Sequence, residues 1–220
     1  MLDRHVRPII DPILKHACHF LYHKRYHPNQ ITWVGFGFGL MSFLALAGGF
    51  YLTALVFVCL NRVFDGLDGV YARFIDTEHP DQDIIGQSDF GGYLDIVLDF
   101  IFYAGFVFFF ALSNPSQYAL ASAFLIFSFI GSGCSFLTYA IIAAKRNITD
   151  DLVHGHKKTF YYLSGLTEGT ETIICFACCC LFPDKFNLIA YIFGGLCWIT
   201  TITRIMAAKD HFEHYKKSTD

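Results

Sequence analysis

The chain has 220 residues, a net charge of −3 and 54% hydrophobic residues, with 25 Phe and only 16% charged side chains. Soluble domains carry about 25% charged residues, so this composition points away from a soluble globular protein and towards one embedded in lipid. The slightly acidic balance argues against nucleic acid as a partner.

In chain order, Asp3, Arg4 and Arg7 come first, with no following apolar run ending in a small-residue cleavage site, so no cleavable signal peptide is expected. Residues 1–27 mix bases, histidines and apolar residues at helical spacing, which predicts an amphipathic segment lying on the membrane surface. Pro28 breaks the chain, and Asn29 or Thr32 can cap the helix that follows. Apolar runs at 31–50, 52–73, 90–113, 118–143, 159–182 and 186–207 are each long enough to cross about 30 Å of hydrocarbon. The expected architecture is an all-α, polytopic bundle of six transmembrane helices. It forms a single domain over 1–220: an interfacial segment (1–27), the bundle (28–207) and a cytoplasmic tail (208–220).

Lysine and arginine in the connections set the orientation. Arg4, Arg7, Lys15, Lys24 and Arg25 precede span 1, Lys145, Arg146, Lys157 and Lys158 separate spans 4 and 5, and Lys209, Lys216 and Lys217 follow span 6. The opposite turns hold only Lys185. Both termini are therefore expected in the cytoplasm.

Span 2 is apolar only from Leu52 to Leu60, too short to cross. It must continue through Asn61, Arg62, Asp65, Asp68 and Arg73, which then face a protein-lined cavity at membrane depth. Asp65 and Asp68 lie three apart, and Asp95 and Asp99 on span 3 lie four apart, so each pair shares a helix face. Each intramembrane carboxylate costs about 2.5–3.5 kcal/mol. If the two spans adjoin as a hairpin, four carboxylates converge, and Arg62 and Arg73 leave a charge deficit. Two divalent ions would close it, and carboxylate oxygens without His or Cys select Mg²⁺, Mn²⁺ or Ca²⁺ over zinc. Paired metals are a standard clamp for displacement at phosphorus.

The run Asp65-Gly66-Leu67-Asp68-Gly69-Val70-Tyr71-Ala72-Arg73, followed by Gly91-x3-Asp95-x3-Asp99, resembles the signature D-x2-D-G-x2-A-R-x8-G-x3-D-x3-D of the CDP-alcohol phosphotransferases. All fixed residue types match in order. The spacer differs, with residues 74–90 standing where the family pattern has about eight; the extra, acidic residues fall around Ile75–Gln87. The resemblance implies that Asp65, Asp68, Asp95 and Asp99 hold two divalent cations, Mg²⁺ or Mn²⁺, with Asp99 also the general base. It implies that Gly69, Ala72, Arg73, Ser88 and Gly91 meet the CDP donor. Pro28-Asn29-Gln30-Ile31-Thr32 resembles the family's P-N-x-x-T lead-in to span 1, placing Asn29 and Thr32 at the CDP group. The implied reaction moves a substituted phosphate, phosphatidyl from CDP-diacylglycerol, to a small alcohol with release of CMP, in phospholipid biosynthesis. Membrane lipids and a second copy of the chain are the expected partners.

Leu166-Thr167-Glu168-Gly169-Thr170-Glu171-Thr172 resembles an uncharacterised bacterial inner-membrane branch of that family. Glu168 and Glu171 either line an acceptor-alcohol pocket or pair with Arg62 or Arg204. His154, His156, Lys157 and Lys158 read as a positive-inside tract that could also meet lipid phosphate. The competing function is a cation-coupled transporter, which also uses intramembrane carboxylates. The cysteine group at 175–180 has no His or carboxylate beside it and reads as buried packing. Gly35 and Gly39, with Ser128, Gly131, Ser132 and Ser135, are small residues at helix-packing intervals. Span 4 is also a candidate dimer contact.

Overall fold

The computed structural model describes residues 17–79, 86–146 and 167–217. The early N-terminal bases, the acidic stretch at 80–85 and the His154–Lys158 tract lie outside the described residues. Everything described is helix or connection: α1 Pro28–Ala47, α2 Tyr51–Glu78, α3 Asp89–Ser113, α4 Pro115–Lys145, α5 Gly169–Leu181, a 3-10 turn Pro183–Lys185, and α6 Phe186–Lys217.

The starts follow local chemistry. Pro28 takes the first position of α1, where its missing N–H is no loss. The cap is His27 rather than Asn29 or Thr32, because Gln30 reaches back to accept from the His27 N–H at 2.9 Å. Ser88 caps α3 by accepting from the Gly91 N–H at 3.0 Å. Gly49, at φ 74°, turns the chain between α1 and α2.

Pro28–Ala47, Asp89–Ser113, Pro115–Lys145 and Pro183–Phe212 are long and apolar enough to cross a membrane. The other two expected spans differ in kind. α2 has 28 residues and the length to cross, but it carries the charges of its second half. α5 has 13 residues, about 20 Å, and cannot cross alone. The sequence predicts one helix over 159–182; residues 159–166 are outside the described set, and at Glu168 the backbone is extended (φ −107°, ψ −172°). The helix begins after that residue, not at Thr159.

α1 is the central post, packed against both α2 and α3; α3 also packs on α4, α4 on α6, and α5 on α2 and α6. α2 and α3 do not pack closely backbone to backbone, so the expected carboxylate hairpin is opened by a cleft. Gly35 and Gly39 let α1 approach: a Cβ at Gly35 would lie 2.9 Å from the Phe64 Cβ, and one at Gly39 3.1 Å from the Phe102 ring. The small residues of α4 serve the same chain. Gly131 faces Trp198 and Thr201 of α6, and Ser132 accepts from Arg204 at 3.2–3.3 Å.

Away from the charges the core is aromatic and dry. Phe106 stacks on Phe176 at 3.9 Å, Phe110 on Phe186 at 4.0 Å, and buried Cys175, Cys179, Cys180 and Cys197 fill gaps between them. All eight cysteines are free thiols. Many large apolar side chains face outward, among them Leu44, Leu120, Ile141 and Ile205, as lipid-facing surfaces require. Residues 17–23 form a helical stretch that packs on the protein as well: Cys18 is fully buried against Ile31, Leu67, Tyr71 and Phe74, and the Tyr71 hydroxyl donates to the Tyr26 carbonyl at 2.8 Å.

Candidate active site between α2 and α3

The last apolar turn of α2 gives way to Asn61 and Arg62, one turn ahead of Asp65. Asn61 is buried and donates through Nδ2 to the Gly35 carbonyl at 2.8 Å, fixing α2 to α1. Its Oδ1 accepts from Arg62 Nε at 2.9 Å and Nη2 at 2.7 Å. The guanidinium lies over the Phe102 ring, 4.7 Å from its centroid, and directs Nη1 at two carboxylates. Nη1 is 2.9 Å from Asp99 Oδ1 and 3.4 Å from Asp65 Oδ2. Tyr103, one turn beyond Asp99, reaches Asp99 Oδ2 only at 3.5 Å, at the edge of hydrogen bonding.

Asp65, Asp95 and Asp99 each bring one carboxylate oxygen to within 4.8 Å of the others. They line a cleft with Thr32, Gly35, Phe36, Asn61, Arg62 and Leu98. The donors are hard oxygens with no His or Cys among them, which fits Mg²⁺ or Mn²⁺. Of the four predicted ligands, three gather in this way. Asp68 is buried and turned aside: its Oδ2 accepts from the Thr32 hydroxyl of α1.

The residues expected at the CDP donor form two groups. Asn29, Ser88 and Gly91 meet where α1 and α3 begin: a Cβ at Gly91 would stand 3.2 Å from Asn29 Oδ1 and 3.1 Å from Ser88 Oγ. Ser88 also has a structural duty as the α3 cap. Gly69, Ala72 and exposed Arg73 continue α2 beyond the carboxylates, and a Cβ at Gly69 would lie 3.5 Å from Arg73 Nη1. At Gly66 and Gly92 a Cβ would meet nothing within 4 Å. The described residues on either side of 80–85 are anchored to the helices. Ile75 is buried, Asp76 Oδ2 accepts from the Gln87 N–H at 3.0 Å, and a Cβ at Gly86 would lie 2.4 Å from the Ala72 carbonyl.

Glu168 and Glu171 are not in the lining of this cleft. They form a capping box at the start of α5, with Glu171 Oε2 accepting from the Glu168 N–H at 3.3 Å. Of the two cations named as structural partners for them, Arg62 is committed to Asn61, Asp65 and Asp99. Arg204 is buried between α6 and α4, donates to Ser132 and lies within electrostatic reach of Glu168, so the expected pairing of these two stays in place as an alternative. The sequence places Asn61 and Arg62 at the cavity, but it gives Asn61 no role and does not show that Asn61 holds Arg62 against Asp65 and Asp99. The signal was an Asn-Arg pair one turn before the first aspartate, inside a segment that has to cross lipid.

Residues 25–206 match the family model described as CDP-alcohol phosphatidyltransferase. The chain is also 49% identical, over 205 residues, to the protein "Inner membrane protein YnjF" of Escherichia coli (strain K12), covering 93% of this chain and 94% of that protein.

Proposed function

The chain belongs to the CDP-alcohol phosphatidyltransferase family, whose members transfer a substituted phosphate from a CDP-linked donor to an alcohol acceptor, and from this premise we propose that it transfers phosphatidyl from CDP-diacylglycerol to a small alcohol, releasing CMP, in phospholipid synthesis. One observation carries the reading: three carboxylates of the matched region converge within 4.8 Å in a cleft between helices. Family membership favours group transfer over cation-coupled transport.

Asp65, Asp95 and Asp99 would hold two divalent cations, Mg²⁺ or Mn²⁺, with Asp68 contributing from beside Thr32. Bound there, the ions supply positive charge to the diphosphate oxygens, where charge builds in the transition state. Asp99, one turn further along α3 than Asp95, accepts the proton from the acceptor hydroxyl, whose oxygen then attacks the phosphorus bearing the lipid. Arg73, exposed and one turn beyond Gly69 on α2, pairs with the donor diphosphate. Gly69, Ala72 and Gly91 keep the approach to the cleft thin, and Asn29, Thr32 and Ser88 meet the cytidine end. Glu168 and Glu171 contribute to the acceptor side from the start of α5. The chain crosses a bacterial inner membrane six times with both termini in the cytoplasm, and it functions as a homodimer.

The test is incubation of purified protein with CDP-diacylglycerol, Mg²⁺ or Mn²⁺, and a panel that includes glycerol phosphate, inositol, inositol phosphate and serine. CMP and one lipid product are expected only when donor, cation and the right alcohol are all present. Full turnover in excess chelator overturns the metal-dependent mechanism, and no CMP with any acceptor overturns the transfer.

A further inference from the structure

We propose that Arg62 is a tethered counter-cation of the carboxylate site, holding the Asp65 and Asp99 carboxylates that a divalent ion would also use and yielding them only in competition with that ion. The inference rests on the metal-dependent reading above, but it concerns a residue outside the family signature.

The geometry is that of a restrained cation rather than a chance ion pair. Arg62 makes contacts on four sides. Nε and Nη2 are both on Asn61 Oδ1, Nη1 is on Asp99 Oδ1 with Asp65 Oδ2 beside it, and the guanidinium face lies over Phe102. Asn61 is itself fixed to the Gly35 carbonyl, so the network joins α1, α2 and α3 across the cleft. Only a planar fork can keep two donors on one amide oxygen while aiming a third at a carboxylate; a lysine ammonium cannot.

Two consequences follow. Without a cation the three carboxylates would repel one another, because like charges at such separations are costly where water is scarce. Arg62 neutralises one of the three charges and draws α2 and α3 towards each other, which keeps the ligand set in shape. A divalent ion held by Asp65 and Asp99 would compete with Nη1 for these carboxylates. Asn61 still retains the other two nitrogens, so a positive charge remains close to the ion. The site should therefore bind its ion more weakly than its carboxylates alone would, which keeps the ion exchangeable.

The experiment measures Mn²⁺ binding to chelator-stripped, full-length protein by calorimetry, together with melting temperature with and without Mn²⁺. The proteins are wild type, Asp65→Asn, Arg62→Gln and Arg62→Lys. Wild type is expected to bind, and Asp65→Asn to lose binding. Arg62→Gln is expected to bind at least tenfold more tightly than wild type, to melt lower than wild type before Mn²⁺ is added, and to recover on its addition. Arg62→Lys keeps the charge but loses the double hold on Asn61, so it should bind several-fold more tightly than wild type; it carries the test if Arg62→Gln does not fold. A folded Arg62 variant with wild-type or weaker Mn²⁺ affinity overturns the proposal and leaves the metal-dependent reading intact. If neither wild type nor the Arg62 variants bind Mn²⁺, that reading fails and the proposal fails with it.

Discussion

The two ends of α2 and α3 are built on opposite principles. From Phe102 to Phe110 the α3 face is fully buried or nearly so, stacked ring on ring against α5 and α6. From Asp95 to Asp99 the same helix opens onto a cleft, and its partner α2 does not pack on it closely. Phe102 marks the border, with Phe43 and Phe176 on one side and the Arg62 guanidinium on the other. The contrast shows how a bilayer protein affords a charged site: the dry half fixes the helices, so that the polar half can leave them apart. Changes in one half should therefore cost stability, and changes in the other should cost turnover.

The largest separation is expected at Asp99→Asn. Losing a general base lowers rates about 10²–10⁴-fold, while the melting temperature should fall little because the amide keeps the shape. CMP release beside a thermal melt reads both. A collapse in stability with residual turnover would mean that Asp99 is chiefly a structural partner of Arg62. Phe106→Ala is the mirror case. Removing a fully buried ring costs about 3 kcal/mol, and turnover per folded molecule should hold. If turnover falls as steeply as stability, the two halves are not separable.

Gly105→Ala sharpens the comparison at smaller scale. Its Cβ would stand 2.4 Å from the Phe43 ring, so about 1–3 kcal/mol of strain is expected. Gly37→Ala, where a Cβ meets nothing within 4 Å, should stay within about 0.5 kcal/mol of wild type in the same denaturation assay. Equal melting temperatures for the two would remove close packing as the basis of the dry half. The smallest effect belongs to the α5 cap. Glu171→Ala should cost about 1 kcal/mol, because the capping box is lost. Glu171→Gln keeps an acceptor for the Glu168 N–H and should melt like wild type. A raised acceptor KM in Glu171→Gln, with donor KM unchanged, would add substrate recognition to the cap; unchanged kinetics would leave the residue structural.

Much of the site was legible because a charge inside a lipid-crossing segment has few explanations. That Asp65, Asp95 and Asp99 come together could be read from helix spacing and the signature, and the all-helical class from hydropathy. Three things were not legible. Asp68 shares a face with Asp65, but helical spacing cannot show that Thr32 of another helix stands ready to donate to it. The cleft between α2 and α3 depends on both helices leaning on α1, a tertiary choice that the connection between them does not reveal. Helix 5 looked continuous because its apolar composition runs on from residue 159, yet Glu168 and Glu171 are acceptors that suit a helix start, and a capping box at 168–171 settles the boundary locally. The same carboxylates that suggested an acceptor pocket were also the cap signal.

The hydrogen bond from Tyr71 to the Tyr26 carbonyl has a consequence for biogenesis. Its partners are 45 residues apart, and the cluster around Cys18 closes only with side chains from Leu67 to Ile75. The segment at 17–26 therefore leaves the ribosome well before the surface that receives it, and it cannot dock until the end of α2 has been synthesised. Until then its apolar face is unshielded, and the bilayer surface is the nearest place for it to wait.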